Sequence, residues 1–302
     1  MLTISNYHYI REDFSALYPS IFGVTPKAFE NQLKMFKNEG DFITPSQFLA
    51  NFDTLAASKD NYIFITFDDG LKEQFDFALP ILDELGIQAI FFANSMNTQE
   101  GRISTVHKIH LLRSVKSSVL LLNYLKEQNI SMLTPTELEK AKLNYRFDDT
   151  ISAELKYLLN FKISFDKQES LVQSFFEKNF SESEVLESLY MSKDQLQYLA
   201  KINCLGSHAH SHYPLGLLNE EKLSYELKNS KSYLEELSGA SIQMIAYPYG
   251  TAEACTNLVA ETAKEIGYLY GFTTKKGIVD KRQNKLLLNR FDCNDVVGGK
   301  NY

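Results

Sequence analysis

Apolar and polar positions follow two periods that take turns along the chain. "NYIFITF" and "QAIFFAN" are short, nearly continuous apolar runs, the pattern of strands buried on both faces, and "LTISNYHYI" at the start reads as a strand too. Runs with helical spacing follow them: "PKAFENQLKMFKNEG", with Pro26 near its first turn and Gly40 at its end, and "LKEQFDFALPILDELG", where Pro80 predicts a kink. The alternation resumes late, with a helix near Lys193 to Lys201, a short strand "NCLGSH", a charged helix from Asn219 to Leu237 and a strand "IQMIAYPYG". A helix near Glu253 to Ile266 and the strands "YLYGFTT" and "KLLLNRF" complete it. Repeated β-α units with apolar strands predict a mainly parallel sheet covered by helices, an α/β fold.

One stretch breaks this rhythm. From about 97 to 192 the chain carries longer charged helical patterns, few strand signals and only Pro135 as a strong breaker. It predicts a mainly helical insertion on a single domain spanning 1–302. Its "VHKIH" puts His107 and His110 on one helix face, where a solvated or partly packed surface is the simpler reading.

Composition narrows the partners. At 302 residues with 44% hydrophobic content the chain can bury a full core. The net charge of −7 is spread without a basic run, which disfavours nucleic acid and points to a small-molecule or glycan substrate. The N-terminus lacks a basic stretch followed by an apolar one, and no segment approaches the roughly 20 apolar residues of a membrane span. A cytoplasmic protein is expected, with peripheral membrane association the alternative. Cys204, Cys255 and Cys293 are widely spaced and read as buried, inert thiols rather than a disulfide framework or zinc site.

The chemistry collects at predicted strand ends. "NYHY" carries His8, "TFDDG" carries Asp68 and Asp69, "GSHAHSH" carries His208, His210 and His212, and "AYPYG" carries Tyr247, Pro248 and Tyr249. In β/α barrels the C-terminal rim of the strands is where active sites are built. Paired aspartates alone decide little, because Phe-Asp-Asp recurs at Phe147 to Asp149, where helix capping explains the carboxylates. Three histidines within five residues are harder to explain by packing. Imidazoles with a carboxylate make a zinc shell that leaves room for water and substrate. His208 and His212 meet on one ion if the chain turns helical there; an extended chain would put all three rings on one face. One aspartate can then complete the metal shell while its neighbour, held free, accepts a proton from activated water. Metal-assisted hydrolysis is the reaction these groups suggest.

Together, "TFDDG", "HAHSH" and "YPYG", in this order, resemble the first three motifs of the polysaccharide deacetylase family, the NodB-homology carbohydrate esterases. The likeness covers about Leu2 to Ala93 and Met191 to Phe291. It implies a distorted (β/α) barrel with fewer than eight regular units, Asp68 as general base, and Asp69, His208 and His212 as the metal triad. It also implies a groove along Tyr247, Pro248 and Tyr249, where the Tyr249 backbone amide helps hold the oxyanion; His210, from the histidine run itself, is expected either to back the metal ligands or to touch the substrate. The metal is expected to be Zn2+, with Co2+, Mn2+ or Ni2+ as alternatives, and the substrate an N-acylated sugar or glycan.

Two departures shape the expectation. The arginine usual in the third motif is replaced by "MIA", and Arg290 at the last strand end is the best substitute, against an ordinary salt bridge to Asp292 or Asp295. No histidine follows His212, so the usual C-terminal acid is missing, and the N-terminal "NYHYI" resembles the Tyr-His element of exported poly-N-acetylglucosamine deacetylases. His8 becomes the general-acid candidate. The expected activity is removal of an N-acetyl group in surface polysaccharide or glycoconjugate biosynthesis. A deformylase or amidase acting on a nucleotide- or lipid-linked sugar, and a non-catalytic glycan-binding protein on the same fold, are the competing readings.

Overall fold

The computed structural model describes residues 1–145 and 148–302. The chain divides into two compact units, the first comprising Met1–Asp13, Gly23–Arg102 and Ser183–Tyr302, the second Phe14–Phe22 and Ile103–Glu182. In chain order the elements begin with β1 (Leu2–Tyr7), α1 (Pro26–Phe36), β2 (Asp41–Phe42), α2 (Pro45–Ala57), β3 (Tyr62–Phe67), α3 (Leu79–Leu85), β4 (Ala89–Ala93) and α4 (Ser95–Gln99). There follow α5 (Thr105–Val115), α6 (Ser118–Glu127), α7 (Pro135–Asn144), α8 (Thr150–Tyr157), α9 (Phe165–Phe176) and α10 (Glu182–Leu189). The chain ends with α11 (Lys193–Lys201), β5 (Leu205–Ser207), α12 (Glu220–Ser238), β6 (Met244–Ala246), α13 (Asn257–Ile266), β7 (Tyr270–Phe272) and β8 (Phe291–Asp292).

In the first unit the strands lie in the order β7-β6-β5-β4-β3-β1-β8, with β2 also paired to β3, and the pairings are parallel. The stretch before β8 links the two ends of this order. Phe272 of β7 bridges Leu288, and Ser5 of β1 pairs with Phe291, so one short strap bonds to both flanks. The result is a distorted (β/α) barrel, as the alternation of elements implied.

Strand alternation sorts the core into two clusters. Ile63, Ile65, Phe67 and Phe91 join α1, α3 and the later helices, with Phe67 and Phe91 stacked at 4.7 Å between ring centroids. Phe64, Ile90, Phe92, Met244 and Phe272 face the other way, where α2 supplies Phe48 and Phe52. Phe48 stacks on Phe64 at 4.6 Å. With both faces covered, the strands are apolar throughout, which is why "IFITF" shows no alternation.

Several boundaries differ from the sequence reading. The alternation passed over β2 and α2, although Thr44 and Gln47 form a capping box on either side of Pro45, a legible start signal. Around Pro80 a π-helical turn, Gln74–Ala78, precedes α3. The proline ring cannot sit against a regular preceding turn, and the wider turn accommodates it. The last strands shrink: only Met244–Ala246 of "IQMIAYPYG" is ladder, since Pro248 has no N–H to continue it.

The second unit is helical, α5 to α9 with the strap Phe14–Phe22. Ser20 Oγ donates to the His110 carbonyl at 2.6 Å, and Tyr18 N–H donates to the Ser114 carbonyl at 3.1 Å, fastening the strap to α5. Lys108 is buried, with Nζ 2.6 Å from Glu182 and 5.6 Å from the Phe176 ring centroid. His107 is buried and His110 half-buried. In the second Phe-Asp-Asp, Phe147 lies outside the described residues; Asp149 caps α8, accepting from the N–H groups of Ile151 and Ser152, and Asp148 pairs with Lys156 at 2.6 Å. Cys204, Cys255 and Cys293 are buried and unbridged, and burial pushes the thiols of Cys204 and Cys255 up to about 12. No helix among the described residues is long and apolar enough to cross a membrane.

Candidate active site

The inner face of the barrel turns polar where its strands end. Alternation carries Ile4 to Asn6 and His8 on β1, Phe64 to Thr66 and Asp68 on β3, and Gly206 to His208 on β5. Gly206 is required there by close packing: a Cβ at that position would lie 2.4 Å from the Phe92 ring.

After β3 the backbone takes two consecutive left-handed residues, Asp69 (φ 78°) and Gly70 (φ 62°). This turn separates the two carboxylates. Asp68 stays on the inner face, while Asp69 is directed at the histidine loop. His208 Nδ1–H donates to the Ala246 carbonyl at 2.8 Å, which leaves Nε2 3.3 Å from Asp69 Oδ1. His212 Nε2 lies 3.2 Å from the same oxygen. The histidine loop is neither helical nor extended: Ala209 (φ 59°) and His212 (φ 63°) are both left-handed, and this brings the two rings to 5.0 Å between centroids.

The donor set fits a divalent cation. Asp69, His208 and His212 each offer one ligand atom, all within 4.8 Å of one another, and all three residues are buried. Two imidazoles and a carboxylate match the ligand types of open zinc sites. Burial alone would lower the His208 imidazole, but its bond to Asp69 and the charges of Asp68 and Asp69 raise it. The carboxylates that attract a proton there would equally attract a cation.

Asp68 is held by different partners. Arg290 Nη1 donates to Oδ1 and Nη2 to Oδ2, both at 2.7 Å, and Asn6 Nδ2 donates to Oδ2 at 3.1 Å. Arg290 is 1% exposed, anchored by Nε to the Thr273 carbonyl at 2.9 Å and by Nη1 to Thr66 Oγ1 at 3.2 Å. Burial alone would raise the Asp68 carboxyl; Arg290, then His208 and His8, outweigh it and hold the group below its ordinary value. His8 Nε2 stands 3.9 Å from Asp68 Oδ2, with 38% of the His8 side chain exposed. Gln74 ties these segments together, its Nε2 donating to the carbonyls of His8 at 2.9 Å and Asp68 at 2.6 Å.

The other candidates are placed differently. His210 turns away from the triad: Nε2–H donates to Glu100 Oε1 at 2.8 Å, and Nδ1 accepts from Ser95 Oγ at 2.7 Å and Asn229 Nδ2 at 3.0 Å. Tyr247 is 1% exposed and packs in the core cluster on the helix-covered face. Tyr249 follows Pro248 with a left-handed backbone (φ 64°), and its ring meets that of His212 at 5.2 Å. Burial and the Asp69 charge keep the Tyr249 phenol protonated. Asn6 and Gln74 escaped the sequence reading. Asn6 could have been found from its place two residues before His8, on the same face of β1; Gln74 carried no signal.

A sequence model of the polysaccharide deacetylase family matches residues 56–131 and 174–271, more than half of the chain. His8 and Arg290 lie outside the matched stretches. No curated protein matches in a sequence comparison. Among solved structures, the chain is similar to Streptococcus pyogenes deacetylase PplD in complex with acetate, at 18% identity and a TM-score of 0.61, covering 96% of this chain and 91% of that one. IcaB from Ammonifex degensii is similar at 16% identity and TM-score 0.58, covering 96% and 90%. The BpsB deacetylase domain from Bordetella bronchiseptica follows at 15% and 0.55, covering 96% and 95%. At these identities the structural likeness carries the fold, and the extent of the family match carries the assignment: this chain belongs to the polysaccharide deacetylase family.

Proposed function

We propose that this protein is a divalent-metal-dependent N-deacetylase of an amino sugar or glycan, working in surface polysaccharide or glycoconjugate biosynthesis. The observation that carries the reading is the division of the two aspartates: Asp69 shares one locus with His208 and His212, while Asp68 is fixed by Arg290 and lies within 3.9 Å of His8. The whole chain is taken as one catalytic domain, with the helical unit an insertion in it.

Asp69, His208 and His212 would hold the ion, most simply Zn2+ with Co2+, Mn2+ or Ni2+ as substitutes. When bound, such an ion polarises a carbonyl and lowers the pKa of water to about 7. Asp68, ionised across the neutral range, takes a proton from the attacking water as its oxygen bonds to the acyl carbon. The Tyr249 backbone N–H donates to the carbonyl oxygen as negative charge gathers there. The C–N bond then breaks, His8 gives its proton to the leaving nitrogen, and acetate and a free amine result. The positions of Asp68 and His8 support this pairing, since a base and an acid that act on one substrate must sit close together.

The test is acyl release from N-acetyl and N-formyl sugars presented free, nucleotide-linked, lipid-linked and polymeric, with wild type and Asp69→Ala compared. Acetate release that disappears in the variant supports deacetylation, and formate release would redirect the assignment to a deformylase. Glycan binding with no acyl release from any substrate would sink the catalytic reading.

A further inference from the structure

A buried carboxylate lies behind the histidine loop without touching the ligand atoms. Glu226, on α12, is 4% exposed. Its Oε2 accepts from two consecutive backbone N–H groups, His210 at 3.1 Å and Ser211 at 2.9 Å, and its Oε1 accepts from the Ser211 hydroxyl. Those two residues stand between left-handed Ala209 and left-handed His212. The opposite side of the loop is held by the segment after β4: Asn94 Nδ2 donates to the His208 carbonyl, Ser95 N–H to Ala209 and Met96 N–H to His210. Carbonyls face one clamp and amides face the other.

We infer that Glu226 is a positioning residue that sets the spacing of His208 and His212 before any ion arrives. The physical argument rests on three points. The loop has two non-glycine residues, Ala209 and His212, in the left-handed region where Cβ crowds the following carbonyl, so it would relax toward another conformation if released. Two adjacent amides aimed at one point form an anion nest, and an ionised acceptor gives stronger bonds than a neutral one. Finally, a carboxylate buried at this depth costs desolvation that only such a donor cluster offsets, so its placement is tied to this loop geometry. The inference rests on the metal-site reading and adds a residue to it.

The experiment is titration of the metal-stripped full chain with Co2+, followed by visible absorption and by thermal unfolding. Variants are Glu226→Ala, Glu226→Gln, Glu226→Asp and, as a control on the same helix, Leu234→Ala, which removes a fully buried side chain. Substitution of groups that orient metal ligands typically weakens affinity about 10–100-fold, and that loss is expected for Glu226→Ala, with an altered absorption band. Gln should recover part of the affinity, since its amide oxygen can accept from both N–H groups but without the charge. Asp, one methylene short, should fall between, and it provides the reading if the alanine variant does not fold. Leu234→Ala should lower the unfolding midpoint while leaving Co2+ affinity and spectrum at wild-type values. Wild-type affinity in Glu226→Ala or Glu226→Asp overturns the inference, as does an equal loss in Leu234→Ala. Wild-type protein that takes up no Co2+ overturns the metal-site reading itself.

Discussion

Arg290 and Asp68, 222 residues apart in sequence, form a two-pronged ion pair at the end of β3, each guanidinium nitrogen 2.7 Å from its own carboxylate oxygen. The pair is almost fully buried, at 1% and 2% side-chain exposure. In this position Arg290 opposes the effect of burial on the Asp68 carboxyl, helping to hold it below its ordinary value, and fixes its plane.

Replacing Arg290 therefore has two separable effects. Arg290→Met leaves a buried charge unpaired, and removal of one partner of such a pair costs about 3–5 kcal/mol of stability. Arg290→Lys keeps the charge but loses the fork, so folding should be largely retained while turnover falls about 100-fold through misplacement of the base. Urea unfolding and steady-state kinetics on the two variants check the split.

His8→Ala should lower kcat by about 10²–10⁴, the usual contribution of a positioned acid or base, and leave metal content unchanged. Kinetics paired with metal analysis measure both. Unaltered turnover would remove His8 from the acid role and leave the triad standing.

Stripping the ion should abolish activity and lower the unfolding midpoint. A ligand present at 100 times its Kd stabilises the native state by about 2.7 kcal/mol, so the midpoint of wild type should rise with added Zn2+. Asp69→Ala, which lacks the carboxylate nearest both imidazoles, should lose most of that response.

Gly70→Ala tests the turn that separates the aspartates. A Cβ there would lie 2.9 Å from the Ala93 Cβ, on a backbone with φ +62°. The left-handed region alone costs a residue with a Cβ roughly 1–2 kcal/mol. Lower stability and weaker metal affinity together are the expected result, because Asp69 precedes the displaced residue.

In the helical unit, acid should act through Glu182. Burial by itself would raise its carboxyl, but the Ile103 N–H, Lys108 and Gln173 outweigh this and lower it. A depressed carboxyl contributes stability above its unfolded pKa, and the contribution disappears as pH falls through the folded value. Glu182→Gln should accordingly reduce stability at neutral pH and flatten its decline between about pH 5 and the acid limit, as measured by thermal unfolding across pH.

The sequence by itself determined the order of the main β and α elements in the barrel, apart from the short β2 and α2, because strands buried on both faces must be apolar along their whole length. It also exposed the chemistry at the strand ends, since two aspartates and three histidines in short runs are not what packing asks for. The motif resemblance assigned the two carboxylates and Asp69-Gly70 is a legible turn signal, but only the backbone shows how they part: two left-handed residues after β3 turn Asp69 toward His208 and His212 and leave Asp68 inside. His210 shows a related limit: its place between the two ligand candidates kept it out of the triad, but its actual partners, Ser95, Asn229 and Glu100, arrive from other elements. Arg290 meets Asp68, and Glu226 meets the histidine loop, only because the sheet closes and α12 packs behind it. Such partners are set by long-range topology, which local periodicity cannot encode.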